Sequence, residues 1–401
     1  MPPSPITRAE ISRSRLLRNF ERLRALACGE SGAEHCDLLA VVKADAYGHG
    51  ISLCAPWLVE GGAEWLGVTS AEEGVALRKI CPQVRILVMR GPLHEEPDRL
   101  LDAELVPTVW DLEHLDLLQA ASRRRQVADA GIPVHLEIDT GMSRQGLSYK
   151  APDIDAFLDR LRAVPALQLD GVYTHFASPE NLDSDQNSRQ MSRFQQAVEH
   201  VGVAGFRPRW IHAGNSSSVL CQQSAGELAA TATKMGARYM ARPGIALYGH
   251  SSPFTGQQAN IAEVERARLE PVLGWKTAIA SVRTVEAGTE VGYNATFVAP
   301  QKMRLALLPV GYADGLNRKL SNRGHVLVRG QRAPIVGRVS MDLTVVDVTH
   351  VTDAEIGDEA VILGEQNELR VTADDHARWA ETIPYEILCG IGARVPRVAS
   401  E

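Results

Sequence analysis

The sequence predicts an α/β fold: an N-terminal (β/α)8 barrel of the TIM type, followed by a mainly antiparallel β domain. Three observations carry this expectation. Eight short apolar or β-branched runs recur early in the chain, beginning near Leu38, Trp65, Arg85, Leu105, Val134, Gly171, Arg209 and Ala237. Segments with helical spacing lie between most of them. After Ser252 that spacing largely fades, and runs rich in Val, Thr and Leu alternate with glycine turns.

Residues 12–26 carry apolar side chains at helical spacing and read as a first helix. The run Leu38-Leu39-Ala40-Val41-Val42 reads as the first barrel strand and ends at Lys43. Further helices are expected at 71–80, 111–121, 154–164 and 189–201. Alternation of strand and helix implies parallel strands, and eight units favour closure into a barrel over an open doubly wound sheet. In the second region strands are expected at 277–285, 303–308, 325–328 and 343–348, punctuated by Gly288, Gly315, Gly324 and Gly330. The join is placed near Ser251-Ser252-Pro253.

Composition fits a cytoplasmic enzyme of more than one domain. The formal net charge of −7 and the lack of a basic cluster argue against a nucleic-acid partner. No apolar run approaches the ~20 residues that span a bilayer. The arginine-rich start has no apolar stretch of the signal-peptide kind. Six cysteines (Cys28, Cys36, Cys54, Cys81, Cys221, Cys389) show no metal-type spacing. They are expected as free thiols in a reducing compartment, with no metal site.

Chemistry-bearing residues fall where a barrel puts its active site, at the C-terminal ends of the strands. Lys43 opens the segment Lys43-Ala44-Asp45-Ala46-Tyr47-Gly48-His49-Gly50. An amine at a buried strand end is desolvated towards its neutral, nucleophilic form, which attacks an aldehyde to give a Schiff base. The glycines let backbone approach a group such as phosphate. Residues 139–144 (DTGMSR), His175, His212, Asn215-Ser216-Ser217 and Arg242-Pro243-Gly244 follow later strands in the same way.

The motifs VVKADAYGHG, HLEIDTGMSRQG, THFASPE, HAGNSS, RPGIALYG, VGYNATF, LPVGYADG, VGRVSMD and TIPYEILC occur in this order. With them the chain resembles the alanine racemases along almost its entire length. The resemblance implies a cofactor-binding barrel over 15–252 and a β domain over 253–401, which residues 1–14 join. It also implies pyridoxal 5′-phosphate joined to Lys43. Phosphate contacts would come from Tyr47, Ser216, Tyr385 and the amides of Gly244 and Ile245. His175, His212 and Asn215 complete the implied cofactor-binding set. Arg242 would hydrogen-bond the ring nitrogen, with His175 behind it. Arginine does not surrender its proton, so the ring would be a modest electron sink that favours reprotonation at Cα.

The resemblance further implies two bases on opposite faces of Cα, Lys43 and Tyr293. Tyr293 would come from the partner of a homodimer with shared active sites. A tyrosine pKa of ~10 calls for a neighbouring cation, and His175 or His212 is the expected one. Arg144 and the Met341 amide would hold the substrate carboxylate, and Tyr312 with Met341 would line a pocket sized for alanine. The implied reaction interconverts L- and D-alanine and supplies D-alanine for peptidoglycan. Glu137 stands where many relatives carry a carbamylated lysine, and as a fixed anion it is expected to orient Arg144 without a carbamate. Ser143, before Arg144, stands where glycine is common. A broader or serine-directed racemase is the nearest alternative. A non-catalytic pyridoxal-phosphate binder would lack the β domain and Tyr293, and a basic amino-acid decarboxylase would want an acid in place of Arg242.

Overall fold

A computed structural model describes residues 6–28, 36–129, 131–222, 225–257 and 259–401. Eight parallel strands form a closed barrel: Cys36–Val41, Trp65–Val68, Arg85–Val88, Val106–Val109, Ile132–Asp139, Leu167–Tyr173, Trp210–His212 and Arg238–Ala241. The ring is complete because Thr108 pairs with His135 and Ala241 with Leu38, which rules out the open sheet. Trp65–Val68 and Val106–Val109 are buried at every position. Helices cover the outside of the barrel and packed side chains fill the inside, so these strands read as continuous apolar runs.

The helices form where local signals agree with packing. Ala71–Ile80 opens on a capping box between Ser70 and Glu73. Ala151–Arg162 buries Ile154, Phe157, Leu158 and Leu161, the stripe expected of a helix on a sheet. The first helix, Arg13–Cys28, ends beside the start of the first barrel strand. That proximity joins Cys28 to Cys36 in a disulfide, with Cα atoms 5.4 Å apart. The expectation of six free thiols is therefore corrected for this pair; the other four cysteines are thiols.

Beyond the barrel the chain builds a mainly antiparallel region. The opening strand Arg8–Ser12 lies in its largest sheet, antiparallel to Leu273–Ala278 and parallel to Arg397–Ser400. A separate three-stranded sheet joins Ser281–Val285, Met303–Leu308 and Thr344–Asp347. The expected single run 277–285 is thus two strands in two sheets, divided at residues 279–280. Helices Ala259–Ala267, Ala373–Ala380 and Pro384–Cys389 also lie in this region. The last of these packs over the mouth of the barrel. Among the described residues, no helix is long and apolar enough to cross a membrane.

Candidate active site

Lys43 follows the first barrel strand and opens a turn of unusual hand. Ala44, Asp45, Ala46 and Tyr47 have φ between 52° and 56°. Such left-handed geometry costs roughly 1–2 kcal/mol per L-residue, so the surroundings must impose it. Glu73 Oε1 accepts the Ala44 amide at 2.7 Å, and Asp45 Oδ1 accepts the Ile51 amide at 2.7 Å. Gly48, at φ +81°, admits the helix Pro384–Cys389 so closely that a Cβ there would sit 2.1 Å from the Leu388 carbonyl oxygen.

This turn presents Lys43 to a cavity of about 660 Å³ at the barrel mouth. Tyr47, Arg144, His175, Asn215, Ser216, Arg242, Gly244, Ile245 and Tyr385 line the same cavity. Burial lowers the Lys43 pKa, and the Arg144 guanidinium adds to the effect.

Arg242 forms the floor and is 4% exposed. Its Nη1 donates to His212 Nδ1 at 3.1 Å, and its Nη2 donates to the Thr174 carbonyl at 2.8 Å. His175 Nδ1 stands farther off, 3.5 Å from Nη2. The guanidinium carbon lies 4.7 Å from the centre of the Tyr173 ring. Burial and Arg242 hold His175 down to about 3 and His212 well below its ordinary value. Neither imidazole is a cation at neutral pH, which corrects the expectation that one of them would be. A charged ring would have to be desolvated beside a buried guanidinium.

Glu137 is also placed differently from expectation. Its Oε2 accepts from Gln145 Nε2 at 2.5 Å and from the Tyr173 hydroxyl at 2.8 Å. Those donors, rather than Arg144, hold the carboxylate, because they converge on it from its own loop and the neighbouring strand. Burial pushes its pKa up, while both donors and the Arg242 and Arg144 charges oppose the rise.

On the opposite wall, the Ser216 hydroxyl accepts the amides of Gly244 (3.0 Å) and Ala246 (3.2 Å). A Cβ on Gly244 would lie 2.2 Å from the Tyr47 hydroxyl, so only glycine allows this wall to close on Tyr47. The Tyr47 and Tyr385 rings are 6.1 Å apart, and burial pushes Tyr385 up to about 12.

Tyr293, Tyr312 and Met341 do not line this cavity within the one chain. They stand 69%, 43% and 53% exposed on the β region. Three further groups belong to the site's surroundings and were missed from the sequence. Tyr248 donates its hydroxyl to the Val41 carbonyl at 3.1 Å and packs between Tyr47 and His49. Tyr173 and His135 lie under Arg242 and His212. The available signal was strand alternation: His135 and Glu137 share one face, as do Gly171 and Tyr173.

The family model for the N-terminal domain of alanine racemase matches residues 11–252, and that for the C-terminal domain matches 272–399. An alanine racemase of Geobacter sulfurreducens is 39% identical over 399 residues, covering 98% of this chain and 96% of its own. The crystal structure of alanine racemase from D-cycloserine-producing Streptomyces lavendulae aligns with a TM-score of 0.87 at 33% identity, over 100% and 98% of the two chains. An alanine racemase from Bartonella henselae, solved with covalently bound pyridoxal phosphate, aligns with a TM-score of 0.80 at 25% identity, over 99% and 100%. Matched across both halves and along nearly its full length, the chain belongs to the alanine racemase family and is an isomerase, an amino-acid racemase.

Proposed function

We propose that this chain interconverts L-alanine and D-alanine with bound pyridoxal 5′-phosphate, as a cytoplasmic homodimer that supplies D-alanine for peptidoglycan. The observation that carries the reading is one cavity lined by both the Lys43 amine and the buried Arg242 guanidinium. The donor set fits the cofactor: an amine for its aldehyde, the hydroxyls of Tyr47, Ser216 and Tyr385 around Gly244 and Ile245 for its phosphate, and Arg242 for its ring nitrogen. His175, His212 and Asn215 support these groups. Gly244, where a Cβ would meet the Tyr47 hydroxyl, lets the backbone stand against Tyr47, so that hydroxyl and backbone amides, both donors suited to a phosphate, come together. On this reading 15–252 is the cofactor-binding unit, and 253–401 with 1–14 is the unit that meets the second copy.

When bound, the cofactor withdraws electrons from the substrate and acidifies its Cα proton. The remaining work falls to the chain. Lys43, lowered in pKa by burial and by Arg144, takes or returns the proton on one face of Cα. Tyr293 of a second copy does the same on the other face; its exposure, and its place outside the cavity of its own chain, support supply in trans. Arg242 offers hydrogen bonds without giving up a proton, which limits electron withdrawal and favours prompt return of a proton to Cα. Arg144 binds the substrate carboxylate. Tyr312 and Met341 of the second copy narrow the entrance to a small side chain.

The test is Cα hydrogen exchange in deuterated water with each alanine enantiomer. Wild type exchanges both, Lys43→Ala loses exchange at one face and Tyr293→Phe at the other. An undiminished exchange rate in Lys43→Ala would overturn the reading.

A further inference from the structure

We infer that His135 and Asp170 are positioning residues that keep the His212 Nδ1 lone pair turned towards Arg242. The inference rests on the reading of Arg242 as the partner of the cofactor ring. Neither His135 nor Asp170 lines the cavity, and the hydrogen bond that links His135 to the site runs to His212.

Proton placement follows from arginine having donors only. Nη1 of Arg242 is 3.1 Å from His212 Nδ1, so that nitrogen is bare and the ring carries its proton on Nε2. His212 Nε2 is 2.9 Å from His135 Nδ1, which must accept. His135 then carries its own proton on Nε2, which faces Asp170 Oδ2 at 3.7 Å. That distance is too long for a hydrogen bond, and His135 Nε2 has no other partner, so the carboxylate acts through its charge. Asp170 is fixed in turn by Arg209, whose Nε donates to Oδ1 at 2.5 Å.

Both imidazoles and Asp170 are buried, and burial keeps both rings neutral. With one proton on each ring, the row has two settings. In the first, every N–H points from Arg242 towards Asp170. In the second, His212 turns an N–H at a guanidinium, and His135 turns a lone pair at a carboxylate. The two ends of the row, a cation on the cavity floor at Arg242 and an anion buried behind it at Asp170, select the first.

The backbone makes room for this row. Strand pairing shifts register between Val134 and His135, which re-aims the side chain. A Cβ on Gly171 would sit 2.6 Å from His135 Nδ1, so glycine there clears space for the ring. Tyr173 stacks on His212 at 4.6 Å.

The experiment is ¹⁵N spectroscopy of the holoenzyme labelled in its histidine rings, with two variants at residue 135 and one at residue 170. Wild type is expected to hold the proton on Nε2 in both His135 and His212. His135→Asn keeps an oxygen acceptor at the position of Nδ1 and should preserve the His212 pattern. His135→Leu fills the space without an acceptor, so His212 should gain a population protonated on Nδ1. In that variant abortive transamination, in which alanine passes its amino group to the cofactor aldehyde and leaves oxidised as pyruvate, should rise severalfold relative to racemisation. Asp170→Asn can turn either a donor or an acceptor to His135, so it should mix the two settings even if His135→Leu fails to fold. A His212 proton on Nδ1 in wild type, or an unchanged His212 pattern in His135→Leu or Asp170→Asn, overturns the inference. Absence of racemisation in a wild type with the expected tautomers would count against the proposed function alone.

Discussion

The Tyr173 hydroxyl donates to Glu137 Oε2 over 2.8 Å in the lining of the cavity that holds Lys43. With Gln145 on the same oxygen, the carboxylate is held by the chain's own donors. Activity is therefore expected to be indifferent to bicarbonate. Assays in rigorously degassed buffer, with and without added bicarbonate, check this; a reversible loss on removal would count against it.

Supply of Tyr293 in trans has a quantitative signature. Lys43→Ala and Tyr293→Phe are each expected to be inactive. Hybrid dimers formed by mixing them contain one intact site, so about a quarter of wild-type activity should return after subunit exchange. No recovery would place both bases in one subunit.

The Lys43 amine should also report its surroundings through pH. Burial comes first and Arg144 second among the causes that lower its pKa. In Arg144→Leu the second cause is gone, so the pH at which cofactor-free protein captures pyridoxal phosphate should move up. Stopped-flow absorbance across pH measures the midpoint, and an unmoved midpoint would show that Arg144 has no influence on the amine.

Gly48→Ala should cost roughly 2–4 kcal/mol, because it adds a Cβ at positive φ where the Leu388 carbonyl already stands. Denaturant unfolding of the cofactor-free protein measures the loss. The same variant should weaken cofactor retention, since the displaced helix carries Tyr385.

His376 is buried outside the site, and burial holds its pKa down to about 4 from an ordinary 6.5. The unfolded chain then binds the extra proton between those values. Its contribution to stability is complete above pH 6.5 and is lost as pH falls towards 4. The slope in that window is at most about 1.4 kcal/mol per pH unit. His376→Leu should flatten the stability profile there by that amount, measured by denaturant titrations from pH 4 to 7.

Lys43, Arg144 and Arg242 were legible because each follows an apolar strand, and in a barrel strand ends converge on one mouth. His135 and Asp170 were hidden because each sits within a strand, where a polar residue gives no sign of which face it meets. The partnership of Cys28 with Cys36 was equally hidden, since it depends on a helix end meeting a strand start. Helix Ala259–Ala267 was lost in a region read by its glycines and β-branched residues. The split at residues 279–280 follows from sheet assignment, which a continuous apolar run does not encode.

The strand Arg8–Ser12 pairs with Arg397–Ser400, so the earliest and latest described parts of the chain close one sheet together. During synthesis all eight barrel strands emerge long before residue 397 does. Residues 8–12 must meanwhile wait with an open edge, exposed to pairing with the wrong strand. Assembly of the β region thus waits on synthesis of residues 397–400, and slow translation of that stretch would prolong the interval in which nascent copies can aggregate.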